Sequence, residues 1–138
     1  MKTHIISYLA TGLVFAGIDS IWLTVMSGVL DRPLLGDMLL EKFNVVPAVV
    51  YYLLYVAGIV IFAVSPAFDA DRWTTALING ALFGLFAYAS YDLTNQATLR
   101  GWSPVVTIVD LCWGTALTAA AATFGYLIAN AILKATST

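Results

Sequence analysis

Three aspartates lie within long apolar runs of this 138-residue chain: Asp19, Asp92 and Asp110. A carboxylate in the hydrocarbon of a membrane costs roughly 2.5–3.5 kcal/mol on insertion scales, so such a residue faces the protein interior, meets a partner or carries a proton. No Lys or Arg lies inside the surrounding runs, which leaves neutral hydrogen-bond donors as the candidate partners. Carboxylates in this setting can exchange protons, hold a cation, or serve as acid and base.

The spacing of aromatic residues around these aspartates indicates a shared pocket. The motif Asp-x-x-Trp occurs twice, as Asp19 with Trp22 and as Asp110 with Trp113, and residues three apart share one face of a helix. Structural hydrogen bonding between helices is the ordinary alternative, as is a helix end in the headgroup region for Asp92 and Asn95. The predicted ligand-binding residues are Asp19, Trp22, Tyr51, Tyr55, Tyr88, Tyr91, Asp92, Asn95, Asp110 and Trp113.

The composition indicates that such a pocket would lie inside a membrane protein. The chain is 61% hydrophobic and 10% charged, whereas soluble domains carry roughly 25% charged residues. A soluble chain of this length could not bury so much apolar surface, so we expect a lipid bilayer around it. The net charge of -2, with no basic patch, argues against a nucleic-acid partner. A single histidine, His4, disfavours a histidine metal site, and we expect Cys112 to be a buried, inert thiol.

Four segments are long and apolar enough to cross a membrane, which takes about 20 residues each. They are residues 5–30, 45–65, 73–99 and 104–133. The sequence therefore predicts one all-α domain over residues 1–138, a polytopic membrane protein with four antiparallel transmembrane helices. Apolar residues recur at helical spacing within residues 33–43, which predicts a short interfacial helix between the first and second spans. An ordinary polar loop is the alternative there.

Alternating spans place the three aspartates at a similar depth. Asp19 and Asp92 fall late in the first and third spans, and Asp110 falls early in the fourth, so all three lie toward the same side of the membrane. Small residues at Gly80, Gly84 and positions 119–122 are predicted to face neighbouring helices, because they allow backbones to approach closely. Lys and Arg divide three against three between the two sides, so the positive-inside rule assigns no orientation.

The segments "YDLTNQATLRGW", "GIDSIWL" and "VDLCWG" resemble a known family. They are similar to the small bacterial predicted membrane proteins grouped as domain of unknown function 2177, and the resemblance covers nearly the whole chain. It implies a multi-pass, four-span protein, which we expect in the bacterial inner (cytoplasmic) membrane. It implies no established activity or cofactor.

These residues are compatible with several functions. The pocket favours binding or transport of a proton, a cation or a small polar molecule. The alternatives are an accessory or structural subunit of a membrane complex, a small membrane enzyme acting on lipid, and a dual-topology homodimeric exporter. The expected partners are the lipid bilayer and either a second copy or other membrane subunits. The residues predict no metal site, and the sequence determines neither a cofactor nor whether the protein is an enzyme.

Overall fold

The computed structural model describes residues 1–26 and 45–136, and within these residues the chain is all-α. Four helices account for nearly all of it: α1 (Lys2–Met26), α2 (Val45–Ala70), α3 (Trp73–Thr98) and α4 (Pro104–Thr136). These helices match the four predicted spans, although α2 and α4 continue further than expected. The interfacial helix predicted within residues 33–43 lies outside the described residues.

Turn-forming residues set the helix ends. Pro47 lies in the first turn of α2, where its missing N–H costs nothing. α2 ends at Asp71, which adopts the left-handed conformation with φ 55°, a conformation that Asp tolerates better than most residues. Between α3 and α4, Gly101 has φ 79°, where a glycine is favoured. Ser103 then caps α4, its Oγ accepting a hydrogen bond from the Val105 N–H at 3.2 Å.

One turn of α2 is widened into a π-helix at Val60–Val64, just before Pro66. Proline has no N–H to donate to the carbonyl four residues earlier, which is the carbonyl of Phe62. The side-chain amide of Asn79 on α3 donates to that carbonyl at 3.1 Å. The polar side chain on α3 therefore supplies a hydrogen bond that the proline removes from α2.

The helices alternate in direction. Lys2 donates to Thr136 at 3.1 Å, while the rings of Trp22 and Trp113 meet near the opposite end, so α1 and α4 are antiparallel. α3 makes its most extensive contact with α4, and α2 packs against α3. A Cβ added to Gly80 would lie 2.8 Å from the Ala122 Cβ. The prediction that the small residues face another helix is thus confirmed.

The outer surface is apolar, as a lipid environment requires. Leu13, Phe86 and Ile108 are each more than 60% exposed. By length and composition, α1, α2 and α4 can each cross a membrane, whereas α3 is long enough but is not apolar enough by the same test. Polar residues lie at both ends of α3 and at Asn79 between them, and they lower its hydropathy.

Cys112 lies on the outer surface, so the prediction of a buried thiol was wrong. Position 112 belongs to an apolar run, but its neighbour Trp113 takes the inward-facing position on α4. On a helix, adjacent residues point in different directions. An apolar run in a membrane helix therefore does not distinguish the buried face from the face toward lipid.

Candidate functional site: an acidic aromatic cavity

A cavity of about 450 Å³ lies among the four helices, and each helix contributes to its wall. α1 contributes three residues of its last two turns, and α4 contributes residues of its second and third turns. The cavity therefore lies toward the end of the bundle where α1 ends and α4 begins. Eight of the ten predicted site residues line it: Asp19, Trp22, Tyr51, Tyr55, Tyr88, Tyr91, Asp110 and Trp113.

Asp19 is the most enclosed charged group of the cavity wall, with 7% of its surface exposed. Its carboxylate Oδ2 accepts a hydrogen bond from the hydroxyl of Tyr52 on α2. The indole N–H of Trp113 on α4 also interacts with this carboxylate, although without the geometry of a standard hydrogen bond. Asp19 is thus held between two other helices, and part of the cost of burying it is offset by neutral donors.

The two Asp-x-x-Trp motifs meet across the bundle. The rings of Trp22 on α1 and Trp113 on α4 are stacked, with centroids 4.1 Å apart and an interplanar angle of 8°. Since each tryptophan lies one turn from its aspartate, this stack brings Asp19 and Asp110 to the same cavity. The repeated motif in the sequence therefore corresponds to one structural unit built from two antiparallel helices.

Tyrosine rings from α2 and α3 form the opposite wall. Tyr51 and Tyr55 stack at 5.4 Å, and Tyr88 meets Tyr55 edge to face at 6.2 Å. Tyr55 is fixed further by a 2.7 Å hydrogen bond between its hydroxyl and Thr118 Oγ1 on α4. These contacts orient the aromatic wall.

The structure does not bring Asp92 and Asn95 into the cavity wall. Asp92 is completely buried, and the antiparallel register of α3 and α4 puts it beside the first two turns of α4. Tyr88 and Tyr91 occupy the cavity-facing side of α3. Asp92 follows Tyr91 directly, and adjacent residues on a helix point in different directions. Asp19 and Asp110 share the cavity wall, and the convergence of Asp92 with them stays a prediction.

Sequence reasoning missed Tyr52, which holds Asp19. The predicted stripe on α2 ran through Tyr51 and Tyr55 at a spacing of four. Tyr52 lies three residues before Tyr55, and a spacing of three also keeps residues on one face, so this signal was present in the sequence. Small and aliphatic residues complete the wall, and their types gave no signal: Leu23, Ala48 and Ala87.

The described residues of the cavity wall include acidic and aromatic side chains but no basic ones. The wall holds two carboxyl groups and seven aromatic rings, and none of the described residues lining it is Lys or Arg. Among the residues that the structure describes, no group of three or more His, Cys, Asp or Glu side chains is placed to hold a metal ion. The wall can stabilise positive charge through its carboxylates and its ring faces, and none of its described lining residues carries a positive charge that would favour an anion.

Comparison with known proteins gives a family and no function. Residues 4–127 match the family model described as "Predicted membrane protein (DUF2177)", so the chain belongs to that family. No curated protein and no solved structure matches the chain.

Proposed function

We propose that this member of the family binds a small, positively charged solute within the membrane, in the cavity between its four helices. The observation that carries this proposal is the meeting of Asp19 and Asp110, from two different helices, in a cavity without lysine or arginine among its described lining residues. Keeping two carboxylates at such a depth is costly in hydrocarbon. A bound cation, or a proton that it replaces, offsets that cost.

The proposed site also has a proposed position in the membrane. The four helices would cross the bacterial inner membrane, with the cavity near one membrane surface. Asp19 lies about 10 Å before the described end of α1, from seven residues at about 1.5 Å each. A solute could reach the cavity from that side without crossing the whole bilayer, which suits binding and also the first step of transport.

Thermal unfolding of the purified protein in maltoside detergent tests this function. The wild-type protein is heated with Na⁺, K⁺, Mg²⁺, choline or glycerol, the last as a neutral compound. A ligand at 100 times its Kd stabilises the folded state by about 2.7 kcal/mol, so we expect at least one cation to raise the midpoint and glycerol to leave it unchanged.

Three variants assign the effect to the cavity. Asp19→Asn and Asp110→Asn should remove most of the cation effect, because each removes a negative charge while retaining the shape of the side chain. Asp69→Asn is the matched control, since Asp69 is exposed at the far end of α2. A cation effect of equal size in wild type and Asp19→Asn, or none with any cation, would contradict the proposed function.

A further inference from the structure

We infer that the cation is an organic ammonium ion whose alkylated nitrogen lies against the aromatic rings of the cavity. This inference rests on the proposed function and specifies its ligand. The relevant chemistry is a quaternary or otherwise alkylated ammonium group. Such a group occurs both in free solutes such as choline and in lipid headgroups such as phosphocholine.

The cavity wall has many aromatic rings and few carboxylates, which favours an ammonium ion over a metal ion as the ligand. Hard divalent cations such as Ca²⁺ take six to eight oxygen ligands at short distance. The described wall offers two carboxyl groups and the hydroxyls of its tyrosines, several of which already make hydrogen bonds within the protein. Seven rings in one cavity wall instead match the aromatic cages that recognise alkylated ammonium groups.

The arrangement of the rings supports the same ligand. The Trp22–Trp113 stack uses one face of each indole, and both rings also line the cavity. Tyr51 keeps 42% of its surface exposed although it stacks on Tyr55. Ring faces attract cations because of their negative electrostatic potential, and tryptophan does so most strongly.

Asp19 supplies the counter-charge. It is held by Tyr52, so its carboxylate has a fixed position at the wall. An alkylated nitrogen donates few or no hydrogen bonds, and its charge can therefore be balanced by a nearby carboxylate without a direct hydrogen bond.

The size of the cavity agrees with an organic solute. Sites for small molecules occupy about 300–1,000 Å³, and this cavity has about 450 Å³. A single metal ion with a few waters would leave most of that volume unfilled. A small alkylammonium ion would fill more of it while contacting rings from more than one helix.

Calorimetric titration of the full-length protein in phosphatidylglycerol nanodiscs tests the inference. The probes are choline, its uncharged carbon analogue 3,3-dimethyl-1-butanol, and Na⁺. We expect choline to bind at least about 10-fold more tightly than the uncharged analogue, because the two have the same shape and differ in charge.

Repeating the choline titration in discs that also contain phosphatidylcholine distinguishes a free ammonium solute from a lipid headgroup. An unchanged affinity points to a free solute, and an affinity weakened by competition points to a lipid headgroup.

Substitutions of the aromatic residues test the contact between the ammonium ion and the rings. Trp22→Leu should weaken choline binding by about 3- to 30-fold, the range expected for a cation–π contact, and Trp22→Phe should weaken it less because a ring remains. Trp73→Leu is the control, since Trp73 lies outside the cavity at the start of α3. If Trp22→Leu does not fold, as judged by gel filtration, Tyr51→Leu against Tyr51→Phe serves in its place.

The outcomes separate this inference from the proposed function. If the uncharged analogue binds as tightly as choline, or if Na⁺ binds and choline does not, the ammonium ligand is wrong and a solute-binding cavity remains. Equal choline affinity in wild type and Trp22→Leu also overturns the aromatic contact. If no probe binds and no cation alters thermal stability, both proposals fail.

Discussion

At the scale of single residues, two hydrogen bonds inside this bundle join polar side chains of different helices. Asp19 on α1 accepts from Tyr52 on α2, and Tyr55 on α2 is hydrogen-bonded to Thr118 on α4. A hydrogen bond between helices contributes a modest amount, about 0.6 kcal/mol on average in one well-measured membrane protein. Its greater effect is geometric, because it fixes which face of each helix is directed inward.

Asn79 provides a test of such pairing that is independent of the cavity. Asn79→Leu should lower the free energy of unfolding by about 1 kcal/mol, because the Phe62 carbonyl then loses the donor that replaces the missing N–H of Pro66. In a Pro66→Ala background the backbone can supply an N–H, so the same substitution should cost much less. Chemical denaturation of the four proteins in detergent measures this difference. An equal cost of Asn79→Leu in both backgrounds would show that the side chain does not compensate for the proline.

The residue scale is also where prediction from the sequence was weakest. The Asp-x-x-Trp spacing predicted that Asp19 shares a helix face with Trp22, and Asp110 with Trp113, because a spacing of three fixes a shared face. All four residues line the cavity. Whether Asp92 lines the cavity could not be read from the sequence, because hydrophobic periodicity does not fix the rotation of a helix when lipid and core are both apolar. The same ambiguity explains why the prediction that Cys112 is buried was wrong.

At the scale of helices, close packing of α3 on α4 positions the tyrosine wall against the aspartate of α4. Gly84 lies against Thr118 and the backbone of Gly114, and Gly114 in turn lies beneath the ring of Tyr88. These small residues let the two helices approach so closely that side chains on α3 reach the cavity wall formed by α4. The packing of this pair therefore sets the width of the cavity.

Gly84→Ala should reduce stability, since a Cβ at this position would lie 2.7 Å from the Thr118 Cβ. Overpacking of this kind costs about 1–3 kcal/mol. Gly17→Ala is the matched control, because an added Cβ at position 17 meets nothing within 4 Å. It should be neutral or should stabilise α1 by about 0.5–1 kcal/mol. Thermal unfolding in detergent compares the two variants, and similar midpoints for both would show that α3 and α4 are less closely packed than described.

Helix positions were the part of the structure that the sequence predicted best. Apolar runs of about 20 residues correctly located the starts of α2, α3 and α4 at residues 45, 73 and 104. The continuation of α2 through Pro66 was not predicted. A proline ordinarily ends a helix, but here a π-helical turn and the Asn79 amide accommodate it, and both depend on contacts with α3.

At the scale of the whole molecule, the bundle has two unlike ends. One end carries Lys2, Asp71, Arg72 and Lys134 around the start of α1 and the end of α4. The cavity lies toward the other end, so a solute that enters there meets carboxylates and rings before it meets the closely packed middle of the bundle. This asymmetry places the proposed site nearer to one end of the bundle than to the other.

The central claim is that this cavity holds a cationic solute between Asp19, Asp110 and the paired tryptophans, and fluorescence measures it most directly. In a Trp73→Phe, Trp102→Phe background, the remaining tryptophans are Trp22 and Trp113, which both line the cavity. Choline is titrated against this protein and against the same protein carrying Asp19→Asn. The account predicts a saturable change in tryptophan emission that is lost or shifted to much higher concentration in Asp19→Asn. Emission that does not respond to choline, or that responds identically in both proteins, would contradict it.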